Sequence, residues 1–180
     1  MVYIKKEENL GLSKSDIGNS NIASVAGTIF MRVTTGYLCE KFGARRALFG
    51  LLMLAVPGII GIAFTQSPTG FIICRFIIGL GLATFVTCQV WCSQLFNKKI
   101  VGAANATAGG WGNLGGGITN LTMPFVMLGF LSATDEDEDL SWRLCYIVPL
   151  AFHCIAGIFV LSGRDLPDGN FGELETSGAK

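Results

Sequence analysis

Three side chains of complementary chemistry, Arg32, Phe85 and Asn113, stand in three separate apolar segments of this chain. Read as helices rising about 1.5 Å per residue, those segments put Arg32 roughly 12 Å from Glu40, Phe85 roughly 16 Å from Phe96 and Asn113 roughly 21 Å from Lys99. If the segments cross a bilayer, all three groups lie near its middle. A planar guanidinium presents parallel donors that can meet two oxygens of a planar anion, an amide donor can satisfy a third, and an aromatic ring can cover the flat face. An arginine at that depth cannot easily snorkel and is costly unless it faces a cavity or a partner, so a binding role is its default reading. The plainer readings are a buried salt-bridge arginine, an asparagine that merely bridges helices and a phenylalanine that is simple core.

The elements that must position these groups are membrane helices. Hydrophobic residues make up 51% of the chain and charged residues 14%, the mean hydropathy is +0.53, and the charges are bunched rather than spread over amphipathic faces. Four runs, 47–64, 70–95, 101–131 and 144–161, reach or approach the roughly twenty residues that cross about 30 Å of hydrocarbon. A fifth, 21–38, contains Arg32 and is less apolar, but Ile22, Val25, Ile29, Phe30, Val33 and Leu38 support a span. The expected fold is therefore an all-α membrane protein with five transmembrane helices over 21–163. One span is unusual. Between Gly109 and Gly117 six of nine residues are glycine, which costs backbone entropy and implies that a second backbone or a small ligand approaches closely there.

Loop charges alternate. Lys41, Arg45 and Arg46 fill one loop, Gln66 to Thr69 carry none, Lys98 and Lys99 follow, and then comes Asp135 to Asp139. The positive-inside rule makes the basic loops cytoplasmic, residues 1–20 an extracellular polar segment and 164–180 a cytoplasmic tail or the start of a central loop. The acidic run reads as a solvated loop. Residues before Asn21 balance Lys5, Lys6 and Lys14 against Glu7, Glu8 and Asp16, which does not make a signal peptide. An odd span count beginning outside suggests a fragment of a larger carrier, since such folds are commonly assembled from paired repeats.

Other motifs carry little. Five of the six cysteines lie within apolar spans and Cys39 at the end of one, which marks them as small packing residues. Cys88 and Cys92 lack the partners of a zinc site, and neither a metal nor another cofactor is expected. Gly110-Trp111-Gly112-Asn113-Leu114-Gly115 fits GxGxxG formally, but no strand precedes it and no acidic residue follows at the required spacing. Asn105 and Asn120 open glycosylation sequons inside a span, where modification is not expected. No nucleic-acid partner is indicated.

Three stretches carry a family resemblance. Gly36-Tyr37-Leu38-Cys39-Glu40-Lys41-Phe42-Gly43-Ala44-Arg45-Arg46 resembles the cytoplasmic signature loop of the major facilitator superfamily, with Glu40 where that family usually has Asp. Arg75, followed by Gly79 and Gly81, is similar to its second signature, and Ala108 to Gly117 looks like the nitrate signature of the nitrate/nitrite porters. Asp16 to Asn19, Leu82 to Val86 and Asp165 to Asn170 resemble the plant, algal and fungal members. Aligned this way, the chain corresponds to helices two to six of a twelve-helix porter and lacks the carboxy-terminal half.

The resemblance implies a carrier, not an enzyme, that moves nitrate or nitrite by alternating access with protons as the coupling ion, in the plasma membrane. It maps anion binding onto Arg32, Asn113 and Phe85, with Gly109 as the backbone neighbour that leaves room. It makes Arg75 a gating or structural residue near the outer interface, able to snorkel, and has Arg45 and Arg46 hold an inward gate through charge pairs with the other half. No Asp or Glu occurs from Lys41 to Thr134, so His153 is the sole deep titratable candidate, more naturally a neutral hydrogen-bonded histidine. A facilitator for a sugar or organic anion would explain the superfamily signatures but leave the glycine and asparagine run and Arg32 without a purpose. A non-transporting nutrient sensor is the remaining class.

Overall fold

The computed structural model describes residues 10–170, and among them every regular element is helical. Helix α1 (Lys14–Phe42) starts at a capping box in which the Asp16 amide donates to Ser13 Oγ at 3.1 Å and the Ser13 amide donates to Asp16 Oδ2 at 3.0 Å. The helix therefore begins at Lys14, seven residues ahead of the apolar run read from hydropathy. The reading of residues 1–20 as polar also misses Leu10 and Leu12, which are buried against Ile62, Phe71, Met127, Trp142 and Cys145. Residues 1–9 and 171–180, with Lys5, Lys6, Glu7 and Glu8, lie outside the described residues.

α1 joins α2 (Ala44–Phe64) through Gly43 alone. Its φ of 83° is a conformation that only glycine adopts without strain, so the signature glycine makes a one-residue corner. After Thr65, Ser67 caps α3 (Pro68–Gly81) by accepting from the Gly70 amide at 3.1 Å, with Pro68 in the first turn, where its missing N–H costs nothing. Helix α3 breaks at Leu82–Ala83 and continues as α4 (Thr84–Leu95). Across the break the amides of Leu82, Ala83 and Val86 donate to carbonyls three residues back, those of Gly79, Leu80 and Ala83. Helix α5 (Val101–Ala133) runs unbroken through the glycines, and α6 (Glu138–Leu144) and α7 (Ile147–Ser162) complete the bundle. Pairing α3 with α4 and α6 with α7 gives five stretches long and apolar enough to cross a membrane: 14–42, 44–64, 68–95, 101–133 and 138–162.

Small residues set the tightest crossings. A Cβ on Gly79 of α3 would lie 2.2 Å from the Ser24 carbonyl oxygen of α1, and one on Gly27 would lie 2.7 Å from the Phe76 carbonyl oxygen. α2 packs on α3 and α7, and α4 packs on α5. Helix α5 is the least buried, with Met127 its one fully buried residue. Cβ atoms on Gly110, Gly112, Gly115, Gly116 and Gly117 would meet nothing within 4 Å. The close approach that the glycine run implies is not made by these residues' neighbours in this bundle.

Charge divides the two ends. Lys41, Arg45, Arg46, Lys98, Lys99 and Arg164 gather at one, Asp135 to Asp139 at the other. At the acidic end Arg143 ties α6 to the end of α2: Nε donates to Asp139 Oδ2 at 2.9 Å within α6, and Nη1 donates to the carbonyls of Ala63 and Thr65 at 2.8 and 2.9 Å, occupying acceptors that the end of α2 leaves open.

Candidate anion site

Helical periodicity turns three faces toward one another. Val25, Thr28, Ile29 and Arg32 on α1 follow an i, i+3, i+4, i+7 stripe, Phe85 and Cys88 on α4 are three apart, and Ala108, Gly112 and Asn113 on α5 complete a ring with Leu82 and Thr84 from the helix break. They enclose an open cavity of about 560 Å³ at mid-span. Arg32, Phe85 and Asn113, drawn from three helices, thus line one space.

Arg32 is solvent-accessible and, among the described residues, makes no hydrogen bond or ion pair. Asn113 is likewise accessible, and Phe85 is 44% exposed with one side of its ring against α5. A free fork of N–H donors, an amide and an aromatic face around a cavity without a carboxylate have the chemistry to meet the oxygens and the flat face of a small anion. Gly109 stands one layer back. A Cβ there would sit 3.5 Å from Phe85 Cε2 and 3.6 Å from Gln89 Nε2, so this glycine backs the aromatic ring and does not form part of the wall.

Toward the basic end the α4–α5 contact is polar and uncharged. Gln89 Nε2 donates to the Asn105 carbonyl at 3.2 Å, Asn105 Nδ2 donates to Ser93 Oγ at 3.1 Å, and Ser93 Oγ donates to the Gln89 carbonyl at 2.7 Å. Thr28, Thr84, Cys88 and Gln89 were not singled out from sequence. Thr28 alone carried a readable signal, lying one turn before Arg32 on the same helix face.

The signature loop is tied to the end of α7 and the segment after it. Arg45 is engaged inside this bundle: Nη1 donates to the carbonyls of Leu161 and Gly163 at 2.7 and 3.0 Å, Nε lies at ion-pair distance, 3.5 Å, from Asp165 Oδ2, and its amide donates to Asp165 Oδ1 at 3.2 Å. It closes the carbonyl end of α7, and the charge pairs expected with a second half involve residues outside this chain. Trp91 Nε1 donates to the Arg164 carbonyl at 2.8 Å and holds the same segment. Arg46 is exposed beside an apolar groove between α1 and α2. Glu40 and Gly36 are exposed as well, and a Cβ on Gly36 would meet nothing.

Arg75 sits at the contact between α3 and α1. It is half-buried, its Nη2 donates to Asn21 Oδ1 at 2.9 Å, and it stands outside the cavity as a tie between α3 and α1. His153 Nδ1 lies 2.8 Å from the Pro149 carbonyl. Because a carbonyl only accepts, that nitrogen carries a proton, and the ring is anchored to its own helix.

Residues 2–178 match the Major Facilitator Superfamily. High affinity nitrate transporter 2.5 of Arabidopsis thaliana is 43% identical over 96% of this chain and 34% of its own length. High-affinity nitrate transporter 2.3 of Oryza sativa subsp. japonica is 40% identical over 95% and 33%, and Nitrate transporter 2.1 of Chlamydomonas reinhardtii is 35% identical over 95% and 31%. The chain spans about a third of the length of these relatives. No solved structure matches it. With five apolar spans, a helix-lined cavity and a family match running over nearly its whole length, the chain belongs to the major facilitator superfamily.

Proposed function

We propose that this chain supplies an anion-binding part of a nitrate carrier that also accepts nitrite and works by alternating access. The observation that carries the reading is Arg32: an accessible guanidinium at mid-span, without a partner among the described residues, lining one cavity with Phe85 and Asn113. Nitrate is flat, singly charged and three-cornered. Two of its oxygens match the fork of Arg32, the third is within the chemistry of Asn113, and Phe85 can lie along its plane. Relatives named as nitrate transporters support that choice of anion over a sugar.

In this reading the basic end is cytoplasmic, the membrane is the plasma membrane, and the remaining two-thirds of the polypeptide closes the cavity from the opposite side. Carrying an anion into a cell that is negative inside costs about 2.3 kcal/mol per 100 mV. Symport with at least two protons reverses the sign of the charge moved. No carboxylate stands between Lys41 and Thr134 to carry them, and His153 is bound to its own helix, so the proton-carrying group is assigned to segments of the carrier outside this chain.

The test is uptake of labelled nitrate by the complete protein, competed with nitrite, chlorate and glucose. Competition by the first two and not by glucose is the expected result. Arg32→Lys keeps the charge and loses the fork, and should weaken nitrate affinity at least about tenfold. Unchanged affinity would refute the site, and nutrient signalling that survives the substitution without uptake would favour a sensor.

A further inference from the structure

The break between α3 and α4 is held from outside by one hydroxyl. Thr28 Oγ1 lies 2.9 Å from the Ser24 carbonyl of its own helix and 2.9 Å from the Gly79 carbonyl of α3, so its single proton is shared between them. In an unbroken helix the Gly79 oxygen would accept from the amide of residue 83. Here Ala83 donates to Leu80, and Gly79 accepts from Leu82 and from Thr28. This contact stands at a close approach of the two backbones, Ser24 against Gly79, where neither Gly79 nor Gly27 leaves room for a Cβ. Four residues beyond Thr28 on the same helix face is Arg32, and six residues beyond Gly79, across the break, is Phe85. Thr28 itself lines the cavity between them.

We infer that Thr28 is a positioning residue for the anion site: its bond to the Gly79 carbonyl fixes where the third span breaks, and so sets the distance between the guanidinium and the aromatic ring that cover the two aspects of the anion. The inference rests on the nitrate reading of the cavity and adds to it a residue that need not bind the anion itself. A hydroxyl-to-carbonyl bond between helices in lipid contributes modestly, enough to shift an affinity severalfold without unfolding the bundle. Valine has the shape of threonine and lacks the donor, whereas serine keeps the donor.

Cys88 offers a readout independent of transport, because it lines the same cavity one turn beyond Phe85. In the complete protein, modification of Cys88 by a small methanethiosulfonate reagent is followed by mass spectrometry across a nitrate titration. Nitrate should protect Cys88 in the native protein. Thr28→Val should move the protection midpoint and the uptake KM upward together about three- to tenfold, at unchanged maximal rate per transporter in the membrane, and Thr28→Ser should restore both. If Thr28→Val does not reach the membrane, Thr28→Cys, with a weaker donor, should give a smaller shift in the same direction. Equal midpoints for native protein and the donor-free variant overturn the inference while leaving the anion site standing. Absence of protection in the native protein overturns the nitrate reading, and the inference with it.

Discussion

Arg45 shows how a residue with a readable motif can have an unreadable partner. Its place in the signature loop was evident from spacing, but the acceptors it uses, Leu161, Gly163 and Asp165, lie more than a hundred positions away and carry no pattern that points back to it. Asp165 is 1% exposed, so the pair is taken almost fully out of solvent. Asp165→Ala leaves the guanidinium short of its counter-charge and should lower the stability of the purified protein by about 3 kcal/mol. Trp91→Phe removes only a neutral hydrogen bond from the same segment and should cost about 1 kcal/mol. Thermal unfolding in detergent, followed by fluorescence-detected chromatography, checks both, and equal losses would mean that the charge pair adds nothing to the hydrogen bond. Arg32 is the converse case. Its depth was legible because an arginine within an apolar run is rare and costly, while the ring and amide that share its cavity required three helix rotations to be fixed at once.

At the scale of elements, the spans were legible from hydropathy and their ends were not. Helix α1 extends ahead of its apolar run because Ser13 with Asp16 spells a capping box, although Asp16, Asn19 and Ser20 lower hydropathy there. The kink in the third span left no proline as a sign; it depends on how Gly79 is held by a neighbour. Glycines also differ in what they do. Gly79→Ala would drive a methyl into the Ser24 carbonyl, backbone against backbone, and should separate α1 from α3 and sharply reduce the yield of folded protein. Gly18→Ala meets nothing within 4 Å and should be neutral or raise stability by about 0.5 kcal/mol. Yield of monodisperse protein from matched expressions distinguishes the two, and similar yields would mean that the crossing is more yielding than its spacing implies.

For the molecule as a whole, the uneven burial of the helices has a direct experimental reading. Trp111 on α5 is 67% exposed, and Leu114, Ile118, Leu121 and Phe125 extend the same accessible surface. In bilayers containing lipids brominated on their acyl chains, a variant retaining only Trp111 should be strongly quenched when this chain is expressed alone. Quenching should fall when the segments of a full-length relative that lie outside the matched third are co-expressed. No change on co-expression would place α5 against lipid in the assembled carrier and would leave the glycine run unexplained. The family was legible from three local motifs, because they are contiguous in sequence. The cavity was legible as a depth and as three of its lining residues, Arg32, Phe85 and Asn113, but not in the rest of its wall, which is scattered along the chain.

The break at Leu82–Ala83 turns the third span into a lever. Its arm is α4, twelve residues long, or about 18 Å at the ordinary helical rise. A ten-degree swing about the fulcrum would carry Leu95 roughly 3 Å sideways, yet Phe85, beside the pivot, would move only a fraction of that, and Arg75 on the stationary arm would not move at all. Small adjustments around a bound ion would thus arrive magnified at the basic end, where Trp91 is fastened to the Arg164 carbonyl. That fastening is the load against which the arm must work.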